Sequence, residues 1–297
     1  MCKPLRLLII DGYSKKSRDN LEAAGMKLAW VLYDEMLRQH LPDADREVLL
    51  PTDPGVSMPT DDELEEFDGV IWTGCNLTIY DTENPSVAKQ IDLAQRAYEI
   101  GIPAFGSCWG IQMAAYSAGG DVRLHPKGRE MGIARKIHLT PEGRSHPMFE
   151  GKPDVFDAFI SHDDQVTRIP EGGTLLASNS YTRVQALEVK HKKGTFWGVQ
   201  YHPEYNLHEL ARLIVAREEK LVSQGLFKDH EDLTAMVDRM EDLFANRNRK
   251  DHSWQLAIDN DVLSDEIRQC EFVNWIKHLV IPTAEQRRSE AVSAPRQ

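Results

Sequence analysis

Cysteine is scarce in this chain, positive charge is outnumbered, and apolar runs are short. Only four cysteines occur in 297 residues: Cys2, Cys75, Cys108 and Cys270. They are far apart and form no Cys-x-x-Cys pair and no zinc spacing with the histidines. That argues against a disulfide framework or a zinc module and points to a reducing, cytoplasmic setting. No apolar run reaches the length of a bilayer span, and the run at residues 5–10 is too short for a secretory leader. Lys and Arg number 35 against 47 Asp and Glu, a formal net charge of −12. An acidic balance disfavours nucleic acid or an anionic membrane as the main partner. No internal repeat is visible, and no Gly-x-x-x-x-Gly-Lys-Ser/Thr phosphate loop occurs.

What is present is an alternation of strands and helices. Residues 5–10 read as a buried parallel strand ending at Asp11-Gly12. Residues 19–40 follow a helical period, with Leu21, Leu28, Val31, Leu32 and Met36 on one side. Residues 46–50, 69–73 and 102–105 are further strands. Asn84-Pro85 starts a helix, since Asn is a good N-cap and Pro suits the first helical position. This order predicts an α/β fold: a doubly wound, mostly parallel sheet with helices on both faces. Residues 133–139, 175–177, 186–189 and 195–200 are short and split by Gly and Pro turns, as in an antiparallel excursion that returns to the sheet. Residues 207–221 are helical again. The expected division is a catalytic domain over residues 1–225, a helical extension over 226–281 and a loose polar tail over 282–297. In the extension, Leu233, Val237, Met240 and Leu243, then Phe272, Trp275, Ile276 and Leu279, recur at helical spacing. It could cover a site, form a dimer contact, or simply pack on the sheet's flank.

Cys108 stands between the strand ending at Phe105 and a helix-like stretch, flanked by Gly106 and Gly110. The two glycines permit a sharp strand-to-helix turn with the cysteine at its tip. Thiolate is the reactive form of cysteine, and a helix N-terminus favours negative charge. A buried structural cysteine is the alternative. His202-Pro203-Glu204 follows the extended run 195–200, where residues two apart share a side. Glu204 can then orient His202, and His202 can serve Cys108; an ordinary surface ion pair is the alternative. Together these are the parts of a cysteine hydrolase that transfers an acyl group from an amide.

The chain here resembles the class I glutamine amidotransferases. Gly106-Ser107-Cys108-Trp109-Gly110-Ile111-Gln112 is similar to the family's Gly-x-Cys-x-Gly-x-Gln elbow. Val199 to Glu204 is similar to its His-x-Glu signature, Ser161 to Val166 to its Ser-His-x-Asp-x-Val segment, and Thr73-Gly74 to its oxyanion loop. The agreement spans about residues 5 to 225. The resemblance implies a flavodoxin-like glutaminase fold and Cys108, His202 and Glu204 as nucleophile, general base and acid, and orienting carboxylate. It implies an oxyanion hole from the N–H groups of Cys75 and Trp109. It implies substrate contacts from Gly74, Gln112, Ser161, Asp163, Asp164 and Gln185. The implied reaction cleaves glutamine or a γ-glutamyl amide through a glutamyl thioester, releasing ammonia or an amine and then glutamate. No metal or cofactor is implied. The partner is a small-molecule substrate, with a separate synthase subunit or a homo-oligomer as further expectations. An ammonia-supplying glutaminase subunit and a catalytically silent binding module are the competing readings.

Overall fold

The first strand shows why a layered α/β architecture forms. In β1 (Arg6–Ile10) every residue after Arg6 is buried, which requires helices on both faces of the sheet. The computed structural model describes residues 3–293, and the side chains of residues 3–290. Its strands are β1, β2 (Asp45–Leu49), β3 (Gly69–Trp72), β4 (Ala104–Ser107), β5 (Asp121–Leu124), β6 (Glu130–Leu139), β7 (Val155–His162), β8 (Asp164–Arg168), β9 (Gly173–Ser178), β10 (Ala186–His191) and β11 (Gly194–Val199). Nine of them form one sheet in the order β2-β1-β3-β4-β11-β10-β9-β6-β7, while β5 and β8 make a separate pair. The half from β2 to β11 is parallel, and from β11 to β7 it is antiparallel. The excursion therefore returns as β11, hydrogen-bonded beside β4. That pairing brings the end of residues 194–199 next to the end of residues 104–107, with Val199 opposite Ser107.

Two helical stretches differ from the sequence expectation. Residues 19–40 are two helices, Lys15–Ala23 and Ala29–His40. Gly25 has φ +84°, and the Met26 N–H donates to Leu21 O at 3.0 Å. That is the hydrogen-bond pattern of a glycine-terminated helix, and it lets the chain turn before Ala29. Likewise residues 207–221 break into Leu207–Ala216 and Glu218–Ser223, with Arg217 between them.

The C-terminal helices bury large side chains in the main core. Phe272 and Trp275 are fully buried together with Tyr33, Phe105 and Ile71. Phe272 meets Tyr33 edge-on at 5.7 Å and Phe105 at 5.5 Å. Trp275 lies over β3, where a Cβ on Gly69 would sit 3.0 Å from its ring. Helix His230–Ala245 adds Leu233, Val237, Met240 and Leu243 to a second cluster with Leu210 and Leu213. A polar tie joins the same parts: Lys152 Nζ lies 2.9 Å from Glu271 Oε1 with both side chains buried, and the Tyr201 hydroxyl donates to Glu271. Within the loose tail expected over 282–297, residues 282–293 belong to helix Ile281–Ser293, and residues 294–297 lie outside the described residues. Arg287 anchors this helix by donating to Phe67 O at 2.9 Å and Glu65 O at 2.6 Å.

Candidate active site

The nucleophile candidate sits where β4 gives way to helix Trp109–Ser117. Cys108 has φ 52° and ψ −93°, a conformation that costs a non-glycine residue about 1–3 kcal/mol. Its surroundings hold it there. A Cβ on Gly106 would lie 2.6 Å from Gly110 Cα and 2.8 Å from Trp72 O, so only glycine lets the helix pack this close to β3. The Cys108 N–H donates to Val199 O at 2.8 Å, fixing the turn to the end of β11. Sγ lies 3.6 Å from the Ser161 carbonyl oxygen. No side chain caps the N-terminus of helix Trp109–Ser117.

His202 and Glu204 follow β11 directly. The His202 N–H donates to Phe159 O at 2.8 Å, and its ring stacks on Tyr205 at 4.0 Å, nearly parallel. Nδ1 lies 2.7 Å from Glu204 Oε1 with both side chains buried. Nε2 is buried and has no hydrogen-bond partner among the described residues. Burial alone would push the imidazole pKa down, but Glu204 and the Cys108 sulfur outweigh it and raise it to about 9. The turn at Gly74 closes on the same point. A Cβ there would sit 2.8 Å from His202 Cε1 and 3.5 Å from Cys108 Cβ.

Two residues not foreseen from the sequence hold Glu204. Ser107 Oγ donates to Glu204 Oε1 at 2.9 Å. The Tyr33 hydroxyl donates to Ser107 Oγ at 2.8 Å and lies 3.4 Å from Glu204 Oε2. On the other side of the site Thr73, part of the segment that resembles the oxyanion loop, donates from Oγ1 to Gly74 O at 2.9 Å. This holds the peptide that carries the Cys75 N–H.

Above Cys108 opens a cavity of about 820 Å³. Cys75, expected at the oxyanion hole, and Gln112, Ser161, Asp163 and Asp164, expected at the substrate, all line it. Gln112 Nε2 donates to Asp164 O at 3.0 Å, and the Asp164 carboxylate accepts from the Tyr80 hydroxyl at 3.0 Å. Asp163 is already engaged by Arg129 and by Lys220. Gln185 is not at the cavity. Its amide donates to Glu130 Oε2 at 3.1 Å, inside a buried polar cluster with His162, Asn179 and Thr182 that satisfies the Glu130 carboxylate. The cavity also holds two arginines that the sequence did not single out, Arg129 and Arg217. Arg217's one signal was a charge interrupting an apolar helical pattern. Tyr33 and Ser107 had none, because each lies far along the chain from Glu204. Among the described residues, no group of three or more His, Cys, Asp or Glu is placed to hold a metal ion, and no helix is long and apolar enough to cross a membrane.

Residues 9–219 match the family model of glutamine amidotransferase class-I. A γ-glutamyl-L-1-hydroxyisopropylamide hydrolase from Pseudomonas is 34% identical over 288 residues, covering 95% of this chain and 96% of that protein. A GMP synthase from Thermosipho africanus is 32% identical over 152 residues, which is 50% of this chain but 27% of the synthase. The solved structure of a glutamine amidotransferase from Thermotoga maritima superposes with a TM-score of 0.65 at 18% identity, covering 93% of this chain and 98% of the other. At that identity the likeness is one of fold.

Proposed function

Because the chain belongs to the class I glutamine amidotransferase family, we propose that Cys108, His202 and Glu204 carry out its cysteine-dependent γ-glutamyl amide hydrolysis, and that the leaving group is a small aliphatic amine. The observation that supports the residue roles is the buried His202–Glu204 pair, 2.7 Å apart, with His202 Nε2 left unpartnered beside a cysteine at an uncapped helix start. A hydrolytic nucleophile needs a base that is oriented on one side and free on the other.

In this mechanism the Cys108 sulfur attacks the δ-carbonyl carbon. The oxyanion lies between the N–H groups of Cys75 and Trp109, each such donor being worth about 10²–10³ in rate. His202, protonated at Nε2, delivers its proton to the departing nitrogen, and the C–N bond breaks. Water then attacks the thioester and gives a proton to His202. The C–S bond breaks, glutamate leaves, and the sulfur returns as thiolate. Glu204 keeps the imidazolium stable and correctly turned throughout.

The amine preference rests on likeness along the whole chain. The hydroxyisopropylamide hydrolase aligns over 95% of this chain, C-terminal helices included, whereas the GMP synthase matches half of it. The apolar side chains of Leu77, Leu124 and Val215 at the cavity suit a small alkyl amine or amino alcohol. Supply of ammonia to a separate synthase is the second reading, and the GMP synthase similarity is what favours it. The three free cysteines among the described residues fit a reducing cytoplasm.

The test is to incubate the pure protein with glutamine and a panel of γ-glutamyl alkylamides, reading ammonia, amine and glutamate. Fast release of a small alkyl amine and loss of turnover in Cys108→Ala are expected. Near-normal turnover by Cys108→Ala would overturn the residue roles. Turnover of glutamine alone, and only with an added synthase fraction, would overturn the amine preference.

A further inference from the structure

We infer that Arg217 binds the free α-carboxylate of the γ-glutamyl group and so restricts the enzyme to substrates in which that carboxylate is unmodified. The inference rests on the γ-glutamyl amide reading above. It starts from the break in the helix. Residues 207–221 have the apolar pattern of one continuous helix, yet the chain leaves helical geometry at Arg217, with φ −117° and ψ 15°. The break sets Arg217 in the wall of the cavity that also holds Cys108 and Ser161.

Its contacts there are neutral. Nη1 donates to Ser161 Oγ at 2.8 Å and Nη2 to the Tyr13 hydroxyl at 3.0 Å. The other two cations of the wall, Arg129 and Lys220, share the Asp163 carboxylate. Among the described residues, Arg217 has no carboxylate in ion-pair contact. A guanidinium stays charged and has five N–H donors in a planar fork. Two hydroxyls hold the plane of this one with no carboxylate in direct contact, which leaves the fork open to an incoming carboxylate.

The reach is right for this group. Ser161 spans the gap: its carbonyl oxygen is 3.6 Å from Cys108 Sγ, and its hydroxyl accepts from Arg217 Nη1 at 2.8 Å and from Arg129 Nη1 at 3.0 Å. A γ-glutamyl group carries its carboxylate only a few bonds from the carbon that Cys108 would attack. Asp164, lining the same cavity and bonded there to the Tyr80 hydroxyl at 3.0 Å, supplies the opposite charge for the α-ammonium.

The competing role for Arg217 is a brace for Ser161 that never touches substrate. The experiment compares γ-glutamyl ethylamide with the same compound carrying an α-carboxamide in place of the α-carboxylate, using wild type, Arg217→Met and Arg217→Lys. A charge-assisted contact predicts that wild type loses about 10–100-fold in kcat/KM on the carboxamide. Arg217→Met should lose a similar factor on the free acid, mainly through KM, with no further loss on the carboxamide. Arg217→Lys keeps the charge and should recover part of the preference, which separates recognition from misfolding. Equal losses on both substrates in Arg217→Met, or wild type accepting both equally, would overturn the role of Arg217 and leave the amide reading intact. Wild type inactive on every γ-glutamyl amide would overturn both.

Discussion

Ser107 Oγ donates to Glu204 Oε1 at 2.9 Å, so the residue just before the candidate nucleophile holds the carboxylate that orients the candidate base. The end of β4 thus supplies the brace and leads directly into the candidate nucleophile, and Tyr33, packed on Phe272 from the C-terminal helices, braces it from behind.

Removing that brace should slow chemistry without weakening substrate binding. A hydrogen bond to a charged group contributes about 1.5–3 kcal/mol, or roughly 10–100-fold in rate. Ser107→Ala should lower kcat within that range with KM little changed, and Tyr33→Phe should cost less, since its oxygen is 3.4 Å from the carboxylate. Steady-state kinetics of both variants decide this; a loss confined to KM would count against it.

The His202 imidazole should make activity and stability fall together on the alkaline side. Burial opposes its charge, but Glu204 and the Cys108 sulfur raise its pKa from 6.5 to about 9. The folded state therefore binds a proton that the unfolded chain releases earlier. This contribution to stability is complete below about pH 6.5 and lost as pH rises through about 9. Tm measured from pH 6 to 10 should decline more steeply in wild type than in His202→Gln, and kcat should show its alkaline limb near the same pH.

Thr73 should matter through the oxyanion. Its hydroxyl holds Gly74 O at 2.9 Å, and that peptide presents the Cys75 N–H. Thr73→Val keeps the shape and frees the peptide to turn, so kcat should drop, up to the roughly 10²–10³-fold expected for a lost donor. Wild-type kcat in a folded Thr73→Val protein would show that the peptide needs no such anchor.

Gly74 itself admits no side chain. A Cβ would stand 2.8 Å from His202 Cε1, inside any permitted contact, so Gly74→Ala must displace the imidazole. Activity should fall at least as far as in Ser107→Ala while Tm changes little. A fully active Gly74→Ala variant would be incompatible with this placement of His202.

The buried tie between the C-terminal helices and the sheet should be a stability element. Lys152 and Glu271 are 2.9 Å apart with both side chains out of solvent. Glu271→Leu leaves the Lys152 ammonium unpaired and should cost about 3–5 kcal/mol. Denaturant unfolding checks this. Because Tyr201, next to His202, also donates to Glu271, the variant should lose activity before it loses its secondary structure.

Much of this protein was legible in the chain itself. Apolar runs such as residues 6–10, with glycine punctuation, specify buried strands because burial on both faces demands them. Gly106, Cys108 and Gly110 specify the strained turn because no other residue pattern lets a helix start so close to β3. The His202–Glu204 pairing is equally local, two residues apart, although it forms in the turn after β11 and not on the extended run itself. Gly25, by contrast, ended a helix whose apolar period ran on past it, since backbone geometry there outweighs side-chain pattern.

Tertiary structure decided everything that depends on residues meeting from afar. Whether Ser107 reaches Glu204 is set by the pairing of β4 with β11; whether Gln185 faces the cavity or the Glu130 cluster, and where the break at Arg217 points, are set by how β10 pairs and how the helices pack. Periodicity reports which face of an element is buried, but not which distant polar group waits there. That is fixed only when hydrogen bonding and packing bring the elements into register.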